Sequence, residues 1–483
     1  MAEPLTDIAQ SADTEHSRNR GMHAARYVIR LMAAALNNDG FQTGSSSKVL
    51  RKPADASWQQ IYAIMSFHGV EALCLTGLST VMTADMIADI PQEIMDRWRH
   101  AADLTLYRQL AFDAERNAFL EEFSAAGLSW ITLKGIDIAT YYPQPGLRSM
   151  GDQDLVIGFA RNDSGDGDDT DDARRSETVI RRVMTNRGYT CDADWDRELS
   201  FTNARNGLHF EFHRKITSEG EQLEGLYSRA VVDHYADPWA LAMPYGIGDQ
   251  SATAAAKTTA SRSEPVRHGR GYRLTPDEEY LYHVVHMWKH YNSAGFGLRF
   301  LADTLVMIRR YEREFNTSYI HTMLETLGIS EFENTVRNLT LAVLGSTTGT
   351  WNIGTPESAM LREIAASGVY GTQSMRIEKR INRRLTETVS DKSSGTPAMP
   401  GATLPTQPPS GSRFGGSRFV LWYWWRRAFP DKAWVEQYHP RWSSLPARLT
   451  ILPLIRLSGA LRHRQALSEE IRRTLRRRRP RRR

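Results

Sequence analysis

The stretch from Ile131 to Ile157, ITLKGIDIATYYPQPGLRSMGDQDLVI, constrains the fold more than any other part of the chain. An apolar run ends in Leu133-Lys134-Gly135, a short helical pattern covers Ile136 to Tyr142, and a turn built on Pro143, Pro145 and Gly146 delivers Arg148. Gly151-Asp152-Gln153-Asp154 then enters a second apolar run, Leu155-Val156-Ile157. The order is strand, glycine turn, helix, turn, second strand. Residues i and i+2 of a strand share a face, so Asp152 and Asp154 present both carboxylates to one side. Hard divalent cations want clustered oxygens of this kind, and Mg2+ takes one or two carboxylates together with substrate phosphates. Gly135 at the strand-to-helix turn lets backbone approach a phosphate, and the helix N-terminus that follows favours anions. The alternative is an ordinary strand-helix turn.

In the order Lys134-Gly135, Arg148 and Asp152-x-Asp154, with the flanking words LKG, YP and GLRSMGDQDLVI, the chain resembles the polymerase-beta-like nucleotidyltransferase superfamily. It is similar in particular to a bacterial group that carries Lys-Gly where many relatives carry Gly-Ser. The resemblance covers about residues 115 to 310. It implies an α+β fold: a small mixed sheet with an N-terminal helical layer and a helical C-terminal domain. It also implies transfer of a nucleoside monophosphate from a nucleoside triphosphate, ATP among them, to an acceptor hydroxyl or phosphate. The acceptor, a small molecule, a peptide or a protein, is not readable. Two Mg2+ ions, or Mn2+ in their place, would be held by Asp152, Asp154 and a third carboxylate from a neighbouring strand. Lys134, Gly135 and Arg148 would steady the phosphates. One departure stands out: Ile136 follows Gly135 where the wider superfamily commonly has a serine that contacts phosphate. A non-catalytic, antitoxin-like or pseudoenzyme binding protein of the same fold is the alternative.

The third carboxylate has a candidate. Leu199 to Asn203 and Leu208 to Lys215 read as a hairpin, with Asn206-Gly207 as a two-residue turn signal. In the second arm Leu208, Phe210 and Phe212 fall on one face and His209, Glu211 and His213 on the other. The resemblance assigns the third carboxylate to Glu211, with His213 as an accessory; a half-exposed strand with polar residues facing water, or a zinc site of His209, Glu211 and His213, are the competing readings. Further on, Pro276 opens a helix in which His283, His286 and His290 share a face beside Lys289. His286, Lys289 and His290 are candidates to meet the triphosphate; a helix-packing interface or a zinc site are the alternatives.

Domain organisation follows from composition. Residues 1–20 read as disordered, 21–126 as an N-terminal helical region, 127–244 as the nucleotidyltransferase core and 245–271 as a linker. Then come a helical domain over 272–389, a Pro/Gly/Ser-rich disordered linker over 390–417, an aromatic and helical segment over 418–460, and a basic tail over 461–483. The acidic stretch 160–176 lacks the spacing of an EF-hand and reads as a solvated insertion. From Arg462 onward the tail holds eleven arginines and two glutamates, +9 of a chain total of +5, so the remainder carries −4. A solvated, disordered end is the expectation for the tail, with nucleic acid or an anionic membrane surface as its alternative partners. Two cysteines far apart exclude a disulfide framework and suit a reducing compartment. The absence of an apolar leader or a 20-residue apolar run points to a cytoplasmic location.

Overall fold

The computed structural model describes residues 5–37, 50–159, 169–194, 198–245, 269–346, 351–390 and 464–476, with isolated positions between 423 and 453. The fold is α+β, with one seven-stranded mixed sheet set among helices. Five helices come first: α1 (Leu5–Leu36), α2 (Trp58–His68), α3 (Glu71–Val81), α4 (Ala84–Ala88) and α5 (Gln92–Ala125). Their ends follow local chemistry. Ser57 and Gln60 form a capping box at the start of α2, and Gly69 closes it in the left-handed conformation. α5 starts behind Pro91 and stops before Gly127, which has φ 84°.

The sheet then builds around the stretch from Ile131 to Ile157. Strand β1 (Leu128–Leu133) leads through the short α6 (Gly135–Ala139) to β2 (Gln153–Phe159), and α7 (Asp169–Asn186) follows. β3 (Thr190–Asp194), β4 (Glu198–Thr202) and β5 (His209–His213) form an antiparallel series. α8 (Glu219–Leu223), α9 (Arg229–His234) and the pair β6 (Ala242–Pro244) and β7 (Gly271–Leu274) complete it. The strand order is β3-β4-β5-β2-β1-β7-β6. β1 runs antiparallel to β2 with Leu133 opposite Asp154, and β2 runs parallel to β5 with Asp154 beside Glu211. Helices α10 (Pro276–Ser293), α11 (Leu298–Tyr311), α12 (Thr317–Leu327), α13 (Ser330–Leu344), α14 (Thr355–Ser367) and α15 (Gln373–Ser390) follow, and α16 (Arg464–Arg476) is last.

Strand alternation divides the core in two. Leu128, Trp130, Leu155, Ile157, Phe210 and Phe212 pack against α5 and α7. Phe119 meets Phe210 edge to face at 4.9 Å and Phe123 meets Phe212 at 5.7 Å, an arrangement that aromatic quadrupoles favour. Ile131, Leu133, Val156 and Leu274 instead join a cluster that runs continuously from α1 and α3 into α10, α11 and α13. The early helices α1 and α3 and the later ones therefore share one hydrophobic core on one face of the sheet, with α5 and α7 on the other.

Three local expectations differ from the structure. α1 begins at Leu5, inside the stretch expected to be disordered, because helix propagates cheaply once its C-terminal half is packed and no proline interrupts it. The β4–β5 connection is not a two-residue turn: Asn203 N–H bonds the Leu208 carbonyl, and Asn203 Oδ1 takes the Arg205 amide. That side-chain turn captures the loop before Asn206-Gly207 can close a tight one. Within the basic tail, α16 docks on α15 through Arg473 to Glu378 at 2.8 Å, with Glu470 and Thr474 buried, so residues 464–476 are not a solvated end. Most of the expected acidic insertion, the 245–271 linker, the 390–417 linker and the aromatic segment lie outside the described residues. No helix among the described residues is long and apolar enough to cross a membrane.

Candidate active site

Three strand ends converge. β1 stops at Leu133, β2 starts at Gln153, and β5 lies beside β2. Lys134, the first residue off β1, has φ 53° and ψ −119°, and it is the one non-glycine at positive φ among the described residues. Such a backbone costs about 1–3 kcal/mol and persists only where its surroundings over-determine it. Here the side chain is captured: Nζ lies 2.7 Å from Asp154 Oδ1. The same carboxylate oxygen accepts from His213 Nε2 at 2.7 Å. A carboxylate offers no proton, so Nε2 carries the hydrogen of this bond. Nδ1 of His213 is buried without a hydrogen bond, and Glu198 Oε2 stands 3.4 Å away, near enough to attract but not aligned.

Glu211 reaches the same point from β5. Its carboxylate is 3.5 Å from His213 Nε2 and 3.4 Å from His209 Nε2. Ligand atoms of Asp154, Glu211 and His213 all lie within 4.8 Å of one another. The electrostatics separates the three acids. Burial opposes ionisation of Asp154, but the Lys134 charge and the His213 bond hold its carboxyl well below the usual range. Burial opposes Glu211 as well, and bonds from His209 and His213 bring it down to about 2. For Asp152 burial comes first and the Asp154 charge second, and its carboxyl is raised. Two ionised acids beside a third resist further negative charge.

The cavity over this cluster, about 260 Å³, is lined by Lys134, Asp152, Asp154 and Glu211 below and by α10 and α11 above. Of the sequence-derived candidates, Lys134, Gly135, Arg148, Asp152, Asp154, Glu211, His286, Lys289 and His290 all line it. His213 sits behind it, fully buried. His286 and His290 face each other at 3.0 Å through Nε2, and burial followed by neighbouring positive charge drives both toward the neutral ring, His290 to about 3. His283 instead bonds Thr304 Oγ1, which separates it from the pair. Lys289 pairs with Glu221 at 2.6 Å. The His209, Glu211, His213 trio does not converge as a zinc site, because His209 is held by Thr202 and Ser200.

Arg148 has a different setting from the one expected. Its Nε and Nη2 bond the two oxygens of Asp303 at 2.8 and 3.0 Å, and Tyr142 adds a bond to Oδ1 at 2.7 Å. Asp303 is fully buried. The remaining nitrogen presses on the turn: a Cβ on residue 135 would stand 2.3 Å from Arg148 Nη1. Glycine at 135 is thus demanded by the arginine packed against it. α6 has only five residues and no side-chain cap, a weak dipole for an anion. Sequence reasoning missed Asp303 as the partner of Arg148, because the two are 155 positions apart. It also missed Glu198 and Tyr370 in the lining.

No curated protein and no solved structure matches the chain. A family model described as an uncharacterised nucleotidyltransferase matches residues 54–345, which include the acidic cluster and the helices that roof it. More than half of the sequence is covered, and the chain belongs to this family of nucleotidyltransferases.

Proposed function

We propose that the chain transfers a nucleoside monophosphate from a nucleoside triphosphate to an acceptor hydroxyl or phosphate, with Mg2+ or Mn2+ in the cluster of Asp152, Asp154 and Glu211. The observation that carries this reading is the side-by-side placement of Asp154 and Glu211 on parallel strands, open to a cavity with cationic side chains around it. The residues fit a hard divalent cation. Ligand atoms of Asp154 and Glu211 are close enough, with His213, to share an ion, and Asp152 lines the same cavity. Burial, followed by the Asp154 charge, raises the Asp152 carboxyl, and a bound cation would favour its ionised form. His213 spends its Nε2 on Asp154 and fits the part of an orienting partner.

Bound there, the metal would neutralise charge on the triphosphate and acidify the acceptor hydroxyl. The chain's own groups would do the rest. Asp154 is kept ionised and immobile by Lys134 and His213, so no reorganisation is required when substrate arrives. Glu211, kept ionised by His209 and His213, would supply a carboxylate oxygen to the metal. Lys134 and Arg299 stand at the cavity as cations for phosphate oxygens. Arg148 is committed to Asp303 and acts by shaping the Lys134-Gly135 turn. The helical roof would exclude water from the reacting centre.

The test is pyrophosphate release from each of the four nucleoside triphosphates with Mg2+, comparing the protein with Asp152→Ala/Asp154→Ala. Loss of release in the variant is expected. Equal release from both ends the catalytic reading. Absent release together with tight capture of another protein supports the non-catalytic one.

A further inference from the structure

Three aromatic rings border the catalytic cavity among the described residues, and two are core. Tyr282 is 3% exposed and Phe300 4%, whereas Tyr370 is 54% exposed. Tyr370 comes from the loop between α14 and α15, beyond the family-matched stretch. An exposed tyrosine on a loop is commonly mobile surface, but this loop is fixed at both sides of the ring. Gly368 and Gly371 take φ 67° and 73°. A Cβ at 368 would meet the Phe67 ring at 2.7 Å, and one at 371 would meet the Ala294 carbonyl at 2.2 Å. Val369 N–H bonds the Phe67 carbonyl and Thr372 N–H bonds the Ala294 carbonyl. The backbone is thereby clamped between α2 and the end of α10.

The ring itself is placed. Its hydroxyl stands over Gly151, the residue before Asp152, where a Cβ would come within 2.4 Å of it. The Arg299 guanidinium lies 5.9 Å from the ring centroid, and its Nη1 donates to the Ser149 carbonyl at 2.7 Å. Arg299 lies against the ring, and more than half of Tyr370 remains exposed where it borders the cavity. Every nucleobase has a π face, so such a surface binds bases without reading their edges.

We propose that Tyr370, backed by Arg299, is the platform on which the base of the nucleoside triphosphate stacks, and that it accepts all four bases. This rests on the nucleotidyltransferase reading and adds to it the subsite that grips the base. The test measures equilibrium binding to the full chain in Mg2+ of ATP, UTP and inorganic tripolyphosphate, which has the phosphates without the base. Tyr370→Ala is expected to weaken ATP and UTP by about ten- to a hundred-fold, from the usual strength of a base-aromatic stack. Tripolyphosphate binding stays unchanged, which also reports an intact fold, and Tyr370→Phe keeps nucleotide affinity. Unaltered nucleotide affinity in Tyr370→Ala, or an equal loss for tripolyphosphate, overturns the proposal. Failure of the unsubstituted protein to bind any of the three defeats the underlying nucleotidyltransferase reading, and the platform with it.

Discussion

Arg148→Met separates two roles for an arginine that lines a phosphate-sized cavity. Asp303 is fully buried and takes two bonds from Arg148 and one from Tyr142. Removing the guanidinium leaves a buried carboxylate with one neutral donor. Breaking a buried pair from one side costs about 3–5 kcal/mol, since the remaining charge is uncompensated. Replacing the whole constellation with apolar groups, Arg148→Met/Asp303→Leu/Tyr142→Phe, removes the orphaned charge and the orphaned hydroxyl together. Its stability should return to within about 1–2 kcal/mol of the parent. Urea unfolding followed by tryptophan fluorescence measures each step. The pair also has a pH signature. Arg148 holds the Asp303 carboxyl below its ordinary 3.8 against the effect of burial. A depressed carboxyl stabilises the fold above its unfolded pKa, and that contribution is lost as pH falls from about 4 downward. Arg148→Met should flatten this acid limb. If Arg148→Met unfolds at the parent's urea midpoint while losing triphosphate affinity, the arginine is a phosphate ligand and the structural argument is wrong.

Gly135→Ala should cost about 1–3 kcal/mol, because the pinned guanidinium cannot withdraw without loosening Asp303; in the Arg148→Met background most of this cost should vanish, and an unchanged cost would show that the turn is strained by something else. His213→Ala should weaken Mg2+-dependent nucleotide binding about 10- to 100-fold by releasing Asp154, read as the Mg2+ half-saturation point; the same half-saturation in both proteins would remove His213 from the site. Burial, followed by the Asp137 charge, raises the Glu279 carboxyl to about 8 although Tyr311 and Tyr141 bond it. A raised acid stabilises the fold below its unfolded pKa of about 4.5, and that stability is lost as pH climbs to about 8. Glu279→Gln should therefore hold its melting temperature between pH 5 and 8 while the parent declines, and parallel profiles would contradict this.

What could be read from the residues was the local and the periodic. β1 ends at Leu133 as its apolar run does, and α5 begins behind Pro91 and stops before Gly127, because those signals are carried by neighbours in the chain. The alternation in β5 put Phe210 and Phe212 in the core and sent Glu211 to the opposite face beside Asp154. Pairings across long separations were not readable. Lys134, expected at phosphate, lines the cavity and also bonds Asp154, a pairing 20 positions away; Arg148 was expected there too and is spent on a residue in α11. His213 looked like an accessory on a polar face, and only the parallel register of β2 and β5 makes it the partner of Asp154. Tyr370 lies in a helical stretch of weak pattern, and its two flanking glycines acquire meaning only when Phe67 and Ala294 are seen against them. The Asn-Gly signal failed because Asn203 offered a competing side-chain bond upstream.

The ladder between β1 and β2 sets Leu133 against Asp154. Because a pleated strand alternates sides at every step, sliding β2 by one place would turn Asp154 toward the phenylalanine-rich layer and bring Gln153 or Leu155 to the cavity. The strand therefore has no freedom of length: one added or deleted residue between Asp154 and Ile157 reverses which chemistry faces the substrate.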